Sequence, residues 1–221
     1  MLTVTNVLIA INVVAFLWEI GTGGLKTDAA LLAHGALYGP AVVEGHQYWR
    51  IVSGAFLHGG WLHIAANMWA LYQVGTLVER FLGGPRMLAI YVLSMVGSGI
   101  AVVVFSPDAL TVGASGAIFG LFGALVGIGL RLGKPGRGLV AQVVPIILIN
   151  LVITWTIPNI SAAAHVGGLI TGFIVGLIAF EMRPRAPLAS AYATEAPLES
   201  REPEENFKTE SETDTEPARE T

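Results

Sequence analysis

Six runs in this chain are too apolar and too long to be segments of a water-soluble core. They cover residues 4–20, 55–78, 87–105, 113–130, 139–157 and 161–182. Each has the roughly 17 to 25 residues that a helix rising ~1.5 Å per residue needs to cross the hydrocarbon of a bilayer. Lipid offers no partner to an open backbone, so only helices or closed barrels can span it, and these runs lack the alternation of barrel strands. Composition agrees: 53% of the residues are hydrophobic and 13% charged, against about 25% charged in an ordinary soluble domain. The chain is therefore read as an all-α integral membrane protein built as a bundle of six transmembrane helices. No basic residue precedes the first run, and Gly21-Thr22-Gly23 is a poor cleavage site, so that run reads as a retained span and not a signal peptide. The absence of cysteine excludes a thiol nucleophile, disulfides and thiolate metal sites.

Basic residues orient such a bundle, because cytoplasmic loops collect Lys and Arg. Arg80 and Arg86 flank the connection between the second and third runs, Arg131, Lys134 and Arg137 lie between the fourth and fifth, and Arg183 and Arg185 follow the sixth. All fall on one side. The other side holds only Lys26 and Arg50, both in the long first loop. Both termini are therefore expected in the cytoplasm, and the fourth and sixth runs are expected to begin on the outer side. Residues 183–221 carry ten acidic and five basic residues with five prolines. That composition predicts a disordered acidic cytoplasmic tail following a membrane-embedded domain over residues 1–182. The first loop, residues 21–52, is rich in Leu, Ala, Tyr and Trp and is expected to lie at the membrane interface against the bundle. No internal repeat and no phosphate-binding or nucleic-acid signature is visible.

Polar groups inside hydrocarbon are costly and mark functional sites. Ser115 opens the fourth run and His165 the sixth, at similar depth by the orientation above. The second run adds His58, His63 and Asn67; the last two are four residues apart and share a helix face. Three histidines invite a zinc reading, but His63-x-x-x-Asn67 is not His-Glu-x-x-His and no carboxylate accompanies it, so no metal is assigned. Interhelical hydrogen bonding is the plainer reading of His63 and Asn67 taken alone. Glycines at 116, 120, 123 and 127 and at 168, 172 and 176 form smooth stripes that let two helix backbones approach closely. Ser115 and His165 each stand just ahead of a stripe. A serine and a histidine nitrogen brought to about 2.6–3.2 Å form a nucleophile and its base. Position 117 is Ala and no strand precedes it, so Gly113-Ala-Ser115-Gly-Ala117 is not the nucleophile elbow of an α/β-hydrolase.

Several motifs together resemble the rhomboid family of intramembrane serine proteases. They are Gly113-Ala-Ser115-Gly-Ala-Ile-Phe-Gly120, Ala164-His165-Val-Gly-Gly168 with Gly172, His58-Gly-Gly-Trp-Leu-His63-Ile-Ala-Ala-Asn67, Trp49-Arg50 in the first loop, and Glu79-Arg80. They follow family order and spacing across residues 1–182, and the tail lies outside the resemblance. The resemblance implies a compact six-span rhomboid-like bundle of prokaryotic type, multi-pass in the plasma (inner) membrane, with its active site opening toward the outer side. It implies a serine-type endopeptidase with Ser115 as nucleophile and His165 as general base and acid, a dyad without a carboxylate. His63 and Asn67 correspond to side chains that stabilise the oxyanion together with the Ser115 backbone N–H. Phe119 corresponds to an aromatic position that packs on the histidine, a Tyr in many relatives. Gly113 and Gly168 belong to the motifs that support the site, His58 to a polar pocket holding water, and Arg50 and Glu79 to anchors for the first loop. Gly54 stands where some bacterial relatives carry a further histidine.

By the same resemblance no cofactor is needed. The partners are the lipid bilayer and single-pass or multi-pass membrane proteins whose transmembrane segments contain Gly, Pro or polar residues that ease unwinding. Two other readings stay open at the level of sequence: a noncatalytic rhomboid-like protein that binds membrane clients, and a channel or transporter that uses the same polar groups, although the repeated halves common in transporters are not visible.

Overall fold

The computed structural model describes residues 3–158 and 160–181, and residues 182–221, which include the acidic tail, lie outside the described residues. The first helix, α1, runs Val4–Gly21. A helix end inside a membrane needs partners for its first N–H groups, which have none within the helix. Thr3 supplies one, its hydroxyl accepting the Asn6 N–H at 3.2 Å. The Glu79 carboxylate supplies the rest, accepting from Val4 N at 2.8 Å, Thr5 N at 3.0 Å and Thr5 Oγ1 at 2.7 Å. A negative charge also suits the positive end of the helix dipole. Glu79 thus caps α1 and does not touch the first loop that the resemblance assigned to it.

Three short helices come next: α2 Asp28–His34, α3 Gly39–Val43 and α4 Arg50–Ser53. Arg50 is buried among them. Its Nη1 donates to Leu32 O at 2.7 Å and Ala36 O at 3.0 Å, and its Nε donates to Gln47 Oε1 at 2.6 Å. One guanidinium therefore gathers carbonyls that would otherwise be left open by the irregular backbone. The loop is docked by backbone bonds as well: Leu37 and Thr111 exchange N–H···O contacts at 3.0 and 2.8 Å, and Gly39 N donates to Pro107 O at 2.9 Å. These tie it to the segment leading into Ser115.

The long helices α5 Trp61–Leu82, α6 Gly84–Phe105, α7 Ser115–Leu132, α8 Arg137–Thr156 and α9 Ala162–Glu181 complete the described chain. Five of the long helices, α1, α6, α7, α8 with its preceding turn, and α9, are long and apolar enough to cross a membrane. The chain is an all-helical membrane protein. The second apolar run, expected from residue 55, becomes helical only at Trp61. Gly60 adopts φ +148°, outside the range of an L side chain, and the His58 N–H is donated to the Glu19 carboxylate at 3.0 Å. His58 therefore precedes α5 and does not share a helix with His63 and Asn67.

The bundle is organised around α7, most of whose residues are buried, while α1, α8 and α9 present Val14, Leu17, Ile149, Val152, Trp155, Ile170 and Ile174 outward. Lipid tails are as apolar as leucine, so close contact, and not burial from water, holds such helices together. The contact of α7 with α9 is backbone on backbone: a Cβ added at Gly168 would collide with the Gly116 carbonyl, and one at Gly172 with that of Gly120. Ser98 and Ser94 of α6, which also packs on α9, sit against the same two glycines of α7.

Gly172→Ala is expected to destabilise the bundle by about 1–3 kcal/mol, the usual cost of overpacking. Gly138→Ala, in the open first turn of α8, should leave the melting temperature unchanged or slightly raised, since Ala is the better helix former. Thermal unfolding in detergent compares the two. Arg50→Ala should release the first loop, read as faster proteolytic cutting between residues 22 and 49 while the spans stay intact.

Candidate active site

Ser115 is the first residue of α7 and His165 the fourth of α9, and the contact between glycine stripes begins one residue after the first and three after the second. That contact carries the two side chains together across 50 residues of sequence, with His165 Nε2 lying 2.9 Å from Ser115 Oγ. The imidazole is held on its face and on its far edge. Phe119, one turn along α7, stacks on it with ring centroids 4.1 Å apart and planes 12° from parallel. Its second nitrogen, Nδ1, lies 2.7 Å from Oγ1 of Thr154 on α8. His165 is 7% exposed.

Beside the serine is a small cradle. Gly113 takes φ +121°, and its N–H is donated to Gly54 O at 2.9 Å. A Cβ at Gly113 would come within 2.7 Å of His63 Nε2 and 3.4 Å of Asn67 Nδ2. A side chain at position 113 would therefore meet both a left-handed backbone and the His63 ring. His63 Nδ1 accepts the Gly59 N–H at 3.3 Å, which leaves the proton of the neutral ring on Nε2, on the side of Gly113. Among the described residues the buried Asn67 Nδ2 has no hydrogen-bond partner. A buried donor left unsatisfied costs about 1–3 kcal/mol, so this atom beside Gly113 is chemically poised for an acceptor. His58 stands behind, fully buried and edge-on to His63 at 5.1 Å, its Nδ1 3.3 Å from Phe56 O.

The structure thus brings Ser115, His165 and Phe119 into one cluster and Gly113, His63, Asn67 and His58 into an adjoining one. Gly168 makes the approach between helices. Arg50 and Glu79 lie apart, in the first loop and at the opposite end of the bundle. Two polar residues of the neighbourhood escape the sequence reading. Thr154 sits in an apolar run, so the rule that singles out Ser115 and His165 reaches it equally. Glu19, wholly buried at the end of α1, carries the same kind of signal. Among the described residues no three His, Cys, Asp or Glu side chains are grouped so as to hold a metal ion.

A hydroxyl against an imidazole nitrogen, with the His63 and Asn67 donors gathered at Gly113 two residues away, has the components for nucleophilic acyl transfer. A family model described as Rhomboid domain matches residues 45–182. Rhomboid protease GluP of Bacillus subtilis (strain 168) is 40% identical over 173 residues, 77% of this chain and 34% of that protein. RHOMBOID-like protein 6, mitochondrial, of Arabidopsis thaliana is 36% identical over 155 residues, 69% of this chain and 50% of that protein. Putative rhomboid protease YdcA of Bacillus subtilis (strain 168) is 31% identical over 150 residues, 67% of this chain and 75% of that protein. The chain spans a third to a half of the length of the first two.

Proposed function

The chain belongs to the rhomboid family, and from that premise we propose that it is an intramembrane serine endopeptidase that cuts transmembrane segments of other membrane proteins. The observation that carries the reading is a serine hydroxyl 2.9 Å from a histidine ring nitrogen within a bundle of apolar helices. Neither group has a role in lipid that would offset its desolvation except in packing or chemistry, and packing alone does not require a donor without an acceptor two residues away, beside Gly113.

In this mechanism a substrate helix enters from the side and unwinds locally, because a helical carbonyl is already bonded and shielded. Gly, Pro or polar residues near the cut lower the cost of unwinding. Ser115 Oγ attacks the exposed carbonyl carbon as its proton passes to His165 Nε2. The oxyanion formed occupies the cradle over Gly113, where the Ser115 backbone N–H, His63 Nε2–H and Asn67 Nδ2–H donate to it. Collapse breaks the C–N bond, and the proton on His165 passes to the leaving amine. Water from the polar pocket around His58, His63 and Asn67 then loses a proton to His165 and attacks the acyl-enzyme; collapse breaks the ester C–O bond, releases the carboxyl product and returns the proton from His165 to Ser115 Oγ.

The topology follows from the charges. Helix α5 completes six spans: its 22 residues are long enough at ~1.5 Å each, and its lower hydropathy reflects His63 and Asn67 near one end and Glu79 and Arg80 near the other. Arg80, Arg86, Arg131, Lys134 and Arg137 lie at the cytoplasmic ends, with both termini on that side. Ser115 and His165 then open toward the outer face of the plasma (inner) membrane.

Fluorophosphonate labelling of the detergent-purified protein, paired with cleavage of a model single-pass substrate, is the direct test. Ser115→Ala and His165→Ala should lose both activities with melting temperatures near wild type; labelling that survives Ser115→Ala would sink the assignment. A folded wild type that neither labels nor cuts would favour a client-binding protein. Asn67→Ala should lower kcat by about 10²–10³-fold, the usual loss for one oxyanion donor, and an unchanged kcat would remove Asn67 from the site.

A further inference from the structure

We propose that Thr154 is the positioning residue of this site: its hydroxyl accepts the Nδ1–H of His165 and so holds the imidazole in the tautomer whose Nε2 lone pair faces Ser115. The inference rests on the reading of Ser115 and His165 as the catalytic pair and adds the member that the dyad otherwise lacks.

The number of protons available decides the direction of each bond. A hydroxyl has one proton and two lone pairs, and a neutral imidazole has one N–H and one acceptor nitrogen. Thr154 Oγ1 lies 2.7 Å from Asn150 O, one turn back along α8, and 2.7 Å from His165 Nδ1. A carbonyl can only accept, so the bond to Asn150 uses the threonine proton. Toward His165 the oxygen is then an acceptor, and Nδ1 must carry the ring proton. Nε2 is left as a lone pair at 2.9 Å from Ser115 Oγ, the arrangement needed to take a proton from serine. In the opposite tautomer the threonine proton would turn to Nδ1 and Nε2–H would point at the serine. That state forfeits the bond to Asn150 and leaves no base. The productive state has one hydrogen bond more.

Burial makes this difference effective. Thr154 is 3% exposed and His165 7%, so water does not compete for the bond. Thr154 is a β-branched residue in a helix, and its back-bond to the preceding turn selects one of its rotamers, which aims the oxygen. With Phe119 stacked on its face, the ring is held in plane and in rotation. A hydroxyl also orients the base without adding a buried charge, as a carboxylate in this position would. Thr156, two residues on, is exposed and, among the described residues, bonds within α8, to Val152 O and Ile153 O, so it serves as a control of the same residue type. Because Thr154 rides on α8, of whose residues only it, Val143 and Ile147 are buried, the alignment of the base depends on where α8 sits.

The test reads the tautomer directly. The full chain is prepared with ¹⁵N-histidine in lipid nanodiscs, and long-range ¹H–¹⁵N correlation assigns the protonated ring nitrogen of His165, whose signals are identified by their loss in His165→Ala. Wild type and Thr156→Val should show the proton on Nδ1. Thr154→Val should show a tautomer mixture or the Nε2–H form, and its kcat should fall by at least about tenfold and by less than the ~10²–10⁴ that a whole general base contributes, while KM stays within about twofold. Thr154→Ser, which keeps the oxygen, should recover both readouts. A wild-type ring protonated on Nε2 overturns the proposal without any variant, as does a folded Thr154→Val with an unchanged tautomer and kcat. A wild type that cuts nothing, yet has an Nδ1–H ring that changes in Thr154→Val, upholds the positioning and removes the protease reading.

Discussion

The direct contact of two helix backbones, α7 on α9, is the constraint on which the rest of this molecule depends. In hydrocarbon there is no gain from hiding one apolar side chain behind another, so a bundle is held by close approach and by hydrogen bonds. Gly116 against Gly168 and Gly120 against Gly172 give the closest approach that a chain allows. The consequence is geometric. The residues just ahead of each stripe, Ser115 and His165, start on adjacent helices at the same level, and a distance of 2.9 Å is the result. A bulkier seam would separate them by more than a hydrogen bond can span.

Around that seam each polar group has a specific employment, and the partners differ in kind. Glu79 and Arg50 satisfy backbone: one caps the start of α1 and the other collects carbonyls of the first loop. They act at opposite ends of the bundle and neither reaches Ser115. Glu19 also binds backbone, at His58 N, and so holds the irregular segment before α5 that lets His58 lie behind His63. Asn67 Nδ2 is buried with no hydrogen-bond partner among the described residues, as are Glu19 Oε1 and Ser94 Oγ. What sets Asn67 apart is its place beside Gly113, two residues from Ser115.

Much of the fold is legible in the chain because its determinants are local. The number and length of the apolar runs, the glycine spacing and the side of the basic residues are one-dimensional patterns. The helix starts of the second and fourth runs are less legible, since both are set by contacts made elsewhere. His58 is pulled out of α5 by Glu19, 39 residues away, and Gly113 stays outside α7 with its φ at +121° and its N–H bonded to Gly54 O. The capping role of Glu79 is hidden for the same reason: its partners are 74 and 75 residues away, and no spacing within α5 reveals them.

By itself the sequence determined the solvent, the long helices though not where each begins, the smooth faces through which helices could meet, and the chemical types available to a site. It could not say which polar atom meets which. The side chain of Thr154 shares its apolar setting with Thr156, yet one faces His165 and the other faces outward. That choice belongs to the rotation of α8 about its own axis, and only the packing of α8 against α7 and α9 decides it. The same holds for the imidazole: its two nitrogens are equivalent in a sequence and are made distinct only by the hydroxyls that the tertiary structure sets on either side.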